Sequence, residues 1–348
     1  MAYKFTGEAG AALAFLIGYL AVFAWMLFAY LTHRIKWRSR YSLLFFHVTI
    51  RLASQASGIG FGVLGFANTN LFLAFLILGA EGYFSLVLCT FRFVISWHQH
   101  NTPSGESWLE PRDKPGSNKR LKFLVFLFLG PLAFIVYHDN PMVFFHSVLI
   151  LANAAIVVGG SYLAGADYSD PNLPDTKRRL QISKITRTAG QSVFLAGNAA
   201  LLIIILVTMR NNRKDGDSRR KKGTVHPTLW LLFIAWFPLI VRGIFGILQA
   251  AVFSLSYYNP DNYSATGFTP RFTAIEYFLG VLTEWIACVL LNLTYLTSRH
   301  DPKKRDVAID APGSNEALGV SEQKGSLVRE MDKEGQIESQ NRTERGSE

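Results

Sequence analysis

Three polar side chains lie four residues apart in an otherwise apolar stretch of the sequence, FHVTIRLASQASG, at residues 46–58. They are His47, Arg51 and Gln55, and this spacing places all three on one face of an α-helix. An arginine in such a place is suited to bind a carboxylate, whereas a buried carboxylic acid without such a partner can serve as a general acid. The stripe therefore indicates ionic or proton-transfer chemistry inside an apolar environment.

Other apolar stretches also carry a polar or charged residue near the middle: Glu81, Asn153, Asn198, Arg242 and Glu284. A charge at the centre of a bilayer costs about 2.5–3.5 kcal/mol even on a lenient scale, and the cost falls when the charge is paired inside the protein. We therefore expect both Arg51 and Arg242 to face the interior. Each should reach Glu81 or Glu284. Gln249 should lie on the same face, two turns beyond Arg242.

This set of midplane residues has two interpretations. It could be a polar network that fixes the helices relative to one another. It could also be the floor of a buried pocket that opens in one leaflet. Four of the residues are ionisable, their charges sum to zero, and buried charges are costly, so the pocket is the favoured interpretation.

Membrane-spanning helices are the elements that must position these residues. Half of the 348 residues are hydrophobic and 17% are charged, against about 25% charged in a typical soluble domain. The apolar residues form runs of about twenty, which is the length that crosses a hydrocarbon core. The sequence therefore predicts an all-α polytopic membrane protein. The runs are 11–31, 41–66, 71–97, 142–165, 189–209, 229–254 and 273–297.

The number of spans depends on residues 121–165, which could form one helix or two. Seven spans with the N-terminus outside place every strongly basic link but one in the cytoplasm, as the positive-inside rule requires. The exception is the segment 175–187. Eight spans would misplace two basic segments, including 210–223. We expect seven, with residues 123–140 as a re-entrant or interfacial piece, and eight as the alternative.

The prediction divides the chain into a short lumenal or extracellular segment at 1–10, a helical bundle at 11–297 and a polar, disordered cytoplasmic tail at 298–348. The protein should be multi-pass, in the endoplasmic reticulum or plasma membrane. Asn262 begins an Asn-Tyr-Ser sequon in a lumenal loop, which predicts a glycoprotein. The net charge of +10 follows from the basic loops, so we expect contact with membrane lipids and no nucleic acid, metal or cofactor.

Five segments of the sequence resemble a family of fungal seven-helix membrane proteins with no agreed activity. They are IRLASQASGIG, VVGGSYLAG, TAGQSVFLAGNAALLI, FPLIVRGIFGILQ and LTEWIACVLLNLTYL. The resemblance covers most of residues 11–297 and implies a seven-helix bundle. The insert at 123–140 and the long tail depart from the pattern. The architecture is also loosely similar to the fungal membrane-bound terpene cyclases of meroterpenoid pathways, which implies metal-independent isomerase chemistry on a prenylated substrate.

Three functions fit these observations. A terpene cyclase would protonate an alkene or epoxide with a carboxylic acid and stabilise carbocations with aromatic faces, and the chain contains 27 Phe. The candidate acids are Glu81, Glu276 and Glu284, and the acid should be one that no arginine binds. The alternatives are a receptor or sensor and a transporter of lipids or small molecules. A cyclase requires an unpaired carboxylate in an aromatic pocket open to lipid, a receptor requires cytoplasmic coupling loops, and a transporter requires access from both sides.

Overall fold

The computed structural model describes residues 5–37, 39–102, 105–111, 140–164, 173–215, 224–264 and 267–299. The predicted re-entrant piece at 123–140, apart from its last residue, lies outside these ranges. The predicted disordered tail also lies outside them from residue 300 onward. Both expectations stay predictions.

Seven helices of at least 24 residues make up most of the described part of the chain. They are α1 Gly7–Leu31, α2 Tyr41–Leu64, α3 Thr69–Asn101, α4 Pro141–Ala164, α5 Pro174–Asp215, α6 Pro227–Ala251 and α7 Pro270–Ser298. Six of them are long and apolar enough to cross a membrane. The helix that falls short is α2, because its polar stripe lowers its mean hydropathy. The chain is therefore a helical, multi-pass membrane protein with six clear candidate spans.

The helix boundaries lie within about four residues of the predicted runs except in α5. The apolar part of α5 was expected at 189–209, but the helix has 42 residues and begins at Pro174. At 1.5 Å per residue it is about 63 Å long, roughly twice the thickness of a hydrocarbon core. The basic segment 175–187 is therefore the first part of α5, and a helix of this length can carry charged turns beyond the apolar layer. At the other end of the chain, α1 takes in Gly7–Gly10 from the predicted N-terminal segment.

Helices that follow one another in sequence pack side by side, and α3 also contacts α6 and α7, which places it inside the bundle. The end of the bundle at which α1, α3, α5 and α7 begin is called here the N-terminal face. A two-stranded hairpin in the loop between α6 and α7 lies at this face, with strands β1 Tyr263–Ser264 and β2 Gly267–Phe268. Beneath it, Phe268 packs in a buried cluster with Phe61, Phe75 and Phe272.

Helix α7 changes its winding close to this cluster. Its first six residues, Pro270–Ile275, are α-helical, and a π-helical turn follows at Glu276–Val281. Regular α-helix resumes at Leu282. A π-helical turn is wider than an α-helical one and is frequent at functional sites.

Close packing of α4 against α5 requires a glycine, and this can be tested. A Cβ atom on Gly190 would lie 2.6 Å from the backbone oxygen of Ala152, whereas one on Gly197 would meet only Leu149 at 3.5 Å. We expect Gly190→Ala to separate the two helices and to cost about 1–3 kcal/mol of stability. Gly197→Ala, on the same face of α5, is the matched control and should leave stability unchanged or raise it. Thermal unfolding of the purified protein in detergent measures both, and equal melting temperatures would contradict the packing.

Candidate functional site

Two arginines bind one buried glutamate at the centre of the bundle. Arg51 Nη2, from α2, donates to Glu284 Oε2, and Arg242 Nε, from α6, donates to Glu284 Oε1 at 2.6 Å. All three residues are less than a tenth exposed. We call Arg51, Arg242 and Glu284 the ionic triad. The arginines face the interior as expected. Both form an ion pair with Glu284, and neither forms one with Glu81.

A glycine and a tyrosine of α3 lie directly beside the triad. A Cβ atom on Gly82 would lie 2.6 Å from Arg51 Cζ and 2.8 Å from Glu284 Oε2, so a side chain there would occupy the place of the ion pair. The neighbouring Tyr83 presents its ring to Arg242, with 5.5 Å between Cζ and the ring centroid. The guanidinium thus gains a cation–π contact in addition to its carboxylate.

A cavity of about 890 Å³ lies between the triad and the N-terminal face. Helices α3–α7 and the α6–α7 loop contribute to its walls, and the volume is in the usual range for a small-molecule site. The two arginines of the triad form its floor. Six of its lining residues are aromatic: Phe66, Phe72, Phe75, Tyr257, Tyr258 and Tyr263.

Glu276 is the carboxyl group in the wall of this cavity. It belongs to the π-helical turn, is 4% exposed, and accepts a 2.7 Å hydrogen bond from Gln249 Nε2. The hydroxyl of Tyr257 also lies beside it. Within the described residues Glu276 forms no ion pair. The absence of a side chain at Gly280 leaves it room, because a Cβ atom there would come within 3.1 Å of Oε1.

The structure brings together only part of the set expected from the sequence. Arg51, Arg242, Gln249 and Glu276 line the cavity. The remaining members lie outside its lining: His47, Gln55, Glu81, Asn153, Asn198 and Glu284.

Five of the six members outside the lining have local contacts instead, whereas the buried amide of Gln55 has no hydrogen-bond partner among the described residues. His47 Nδ1 pairs with Ser85 Oγ at 2.9 Å, and Asn198 Nδ2 reaches the Tyr83 hydroxyl at 3.4 Å. The polar stripe on α2 thus faces the interior, yet only its arginine reaches the cavity.

Glu81 and Asn153 hold α3 and α4 together at the edge of the cavity. Asn153 Nδ2 donates to Glu81 Oε1 at 2.6 Å. Toward the other end of the bundle the two helices continue in contact, for example through Phe91 and Phe145 at 4.9 Å between ring centroids. Glu81 is therefore a contact between helices, not a group of the cavity wall.

On the other side of this contact, the cavity wall extends to the outer surface of the bundle. Leu73 and Ile77 of α3 and Val157 of α4 line the cavity, yet they are 52%, 43% and 38% exposed. Exposed apolar side chains on a membrane-spanning helix face lipid. The wall between α3 and α4 is thus apolar and in contact with the hydrocarbon layer.

Two charged residues near the cavity were not anticipated. Arg187 of α5 lines it, with its guanidinium 5.3 Å from the ring centroid of Tyr258. Glu8 of α1 is 2% exposed and accepts a 3.4 Å hydrogen bond from the Phe268 amide. Glu8 belongs to the predicted N-terminal segment 1–10, and Arg187 belongs to the predicted basic link 175–187. A helix start placed further toward the N-terminus in α1 and α5 would have brought them into the bundle.

The predicted glycosylation site receives no support from the structure. Asn262 Nδ2 donates to the backbone oxygens of Ser254 and Ser256, at 3.0 and 2.8 Å, and the residue is 9% exposed. A glycan on that nitrogen would break both hydrogen bonds. Glycosylation remains a prediction.

No protein-family model, curated protein or solved structure matches the chain. The likeness to fungal seven-helix proteins and to terpene cyclases therefore rests on the sequence segments and the architecture alone.

The room that Gly82 leaves for the triad leads to a prediction with a control on the same helix. We expect Gly82→Ala to push Arg51 from Glu284 and to lower the melting temperature, because a buried charge then loses its partner. At Gly79, one turn away, a Cβ atom would lie 4.0 Å from Arg51 Nη1, so Gly79→Ala should be tolerated. Thermal unfolding in detergent compares the two variants. A stable Gly82→Ala protein would show that the contact is not required.

The sharing of one carboxylate predicts an order of effects within the triad. Arg51→Leu leaves Arg242 and Glu284 as an ion pair, whereas Glu284→Gln removes the one carboxylate that both buried guanidinium groups contact. Removing one partner of a buried ion pair costs about 3–5 kcal/mol, and we expect the larger loss for Glu284→Gln. Adding Arg51→Leu to Glu284→Gln should recover part of that loss. Expression level and melting temperature measure the series, and a larger effect of Arg51→Leu would contradict it.

Proposed function

We propose that the cavity takes up a hydrophobic prenylated molecule from the bilayer and that Glu276 protonates it, which would make the protein a membrane-embedded terpene cyclase of the isomerase type. The observation that carries this proposal is the place of Glu276. It is a buried carboxyl group without an ion pair in the described part of the chain, and it lies in an aromatic cavity whose wall reaches the lipid-facing surface.

The other candidate acids are less suitable. Both oxygens of Glu284 are bound by guanidinium groups, so they are not available to a substrate. Glu81 is bound to Asn153 and lies outside the cavity lining. Glu276 has a hydrogen bond from an amide and a neighbouring hydroxyl, both neutral, and it faces the space where a substrate would lie.

The reaction would begin with transfer of the Glu276 proton to a terminal alkene carbon or to an epoxide oxygen. The carbocation or opening epoxide is attacked by the π electrons of the next double bond, and a ring closes. Aromatic faces stabilise the cation as it moves. The last carbocation loses a proton, which balances the proton that Glu276 gave. The product is an isomer of the substrate.

The proposal includes the membrane topology. Seven spans with the N-terminus in the lumen or outside the cell would place the N-terminal face, and with it the cavity, in the lumenal or outer half of the bilayer. The basic links after α1, α3 and α5 would then face the cytoplasm. The lipid-facing wall between α3 and α4 would admit the prenyl chain directly from that leaflet.

Turnover by microsomes that contain the protein tests the proposal. A linear farnesylated phenol and its terminal epoxide are supplied, and mass spectrometry detects a product of unchanged mass and altered retention time. We expect Glu276→Gln to reduce the product by at least about 10²-fold, because the amide has no acidic proton. Glu81→Gln should retain activity, which separates the two carboxyl groups.

Asp175→Asn, a substitution of an exposed carboxylate on α5, is the control for altered expression. Full activity of Glu276→Gln would exclude Glu276 as the acid. No isomer from either substrate or from a farnesylated hydroxybenzoic acid, with the wild-type protein folded and abundant, would count against a cyclase.

A receptor or sensor is the second candidate, and the triad favours it. The triad joins α2, α6 and α7 at the cavity floor, so a ligand that contacts Arg51 or Arg242 would alter the contacts that hold three helices together. Such a protein would bind the same molecules and release them unchanged. Mass spectrometry of recovered ligand therefore separates the two functions.

A further inference from the structure

The charges around the cavity floor do not balance within the ionic triad. Arg51 and Arg242 carry two positive charges and Glu284 carries one negative charge, so the triad has a formal net charge of +1. A net charge at this depth in a membrane is costly. Glu276 lies within electrostatic range of Arg242 and restores neutrality when it is ionised.

Titratable and charged groups on several elements surround Glu276. Arg242 on α6, Arg51 on α2 and Arg187 on α5 line the same cavity, and the carboxyl groups of Glu8 on α1 and Glu284 on α7 lie nearby. Tyr257 and Tyr277 lie beside it and are neutral. Helices α3 and α4 line the cavity with no ionisable side chain. A protonated Glu276 therefore leaves the arginines without their second counter-ion.

The arginines also have hydrogen-bonding capacity that the described residues do not use. Arg242 is 7% exposed, and within the described ranges neither its Nη1 nor Arg51 Nε has a hydrogen-bond partner. Gly246 leaves room for two side chains of the cavity lining, because a Cβ atom there would collide with Gln191 Oε1 and lie 3.4 Å from Arg242 Nη1. The cavity floor is thus buried and positively charged and has guanidinium N–H groups to offer an anion, while the wall toward lipid is apolar.

We propose that the cavity binds an amphiphile with a singly anionic oxygen headgroup, which replaces ionised Glu276 as the second counter-ion of the arginines. The headgroup, a carboxylate or a phosphate ester, lies at the cavity floor. The hydrocarbon chain extends along Leu73, Ile77 and Val157 toward the bilayer. Binding is accompanied by uptake of one proton on Glu276. The inference rests on the proposed function for the identity of the cavity as the substrate site, and it names the substrate class.

This exchange would also prepare the acid for the reaction. In the proposed cycle, the negative charge on Glu276 balances the floor before the ligand binds. When the anionic headgroup arrives, a proton moves onto Glu276 and the total charge of the site is unchanged. Glu276 thus carries a transferable proton only when a substrate is present, because the proton is taken up together with the substrate.

The expected pH dependence follows from the proton uptake. Because the complex holds one proton more than the free protein, affinity for an anion is highest at low pH. It weakens, by up to about tenfold for each pH unit, wherever that proton must be taken from solution for the anion to bind. Glu276→Gln is neutral at every pH, so this variant should bind the anion tightly and without pH dependence.

The experiment measures binding to the full-length protein in nanodiscs, without turnover. The probe is farnesyl sulfonate, whose single negative charge is constant across the pH range, and farnesol is the neutral control. We expect the sulfonate to bind at least about tenfold more tightly than farnesol at low pH, and to lose this advantage as pH rises. Asp175→Asn should retain the pH dependence, and Glu276→Gln should abolish it. A farnesyl carboxylate and a farnesyl monophosphate then show which headgroup is preferred.

Two results would overturn the inference. One is equal affinity for farnesol and the sulfonate at all pH values. The other is an unchanged pH dependence in Glu276→Gln, which would assign the titration to another group. Neither result bears on cyclisation, because the microsomal assay detects the isomer independently. Isomer formation without preference for an anion would leave the proposed function in place and reject the headgroup.

Discussion

The bundle depends on one carboxylate that must satisfy two guanidinium groups. Glu284 can do so only if α2, α6 and α7 approach it together, and only if α3 presents Gly82 where any side chain would collide with the pair. The requirement therefore constrains four of the seven helices at one depth. It also explains why α2 can fall short of the candidate spans and still lie in the bundle, because its polar stripe faces the interior and is shielded from lipid by its neighbours.

The same constraint gives the two buried glutamates of α7 different roles. Glu284 lies in regular helix and is fully committed to the arginines. Glu276, about two turns earlier, lies in the π-helical turn and faces the cavity instead. On a helix of uniform winding, residues eight apart lie about 80° from one another around the axis, so the two carboxyl groups need not face the same neighbours. Gly280 leaves space beside Glu276, whereas Glu284 is enclosed by the two arginines.

The sequence predicted those features that follow from the free-energy cost of burying a charge and from the periodicity of apolar residues. Runs of apolar residues predicted the helices, and the cost of a buried charge predicted that Arg51 and Arg242 face inward. Periodicity identifies the face of a helix but not the neighbour across from it, so it could not choose between Glu81 and Glu284. The part of a helix that extends beyond the membrane is not marked by high hydropathy. The apolar run therefore does not show that the first turns of α5, with Arg187, are helical. The π-helical turn has no sequence signature either.

Buried ion pairs are seldom the most stable solution, because well-packed apolar residues of similar size often stabilise a fold more. A triad with a net charge of +1 is less favourable still. Its presence next to a cavity is therefore better explained by what the charge does there than by stability. The excess positive charge can be neutralised by the nearby carboxyl of Glu276 or by the anion of a ligand. It therefore couples ligand entry to protonation of Glu276 and to the contacts among α2, α6 and α7. A catalyst and a sensor would both use this coupling, and they differ only in whether the proton on Glu276 is then transferred to the ligand.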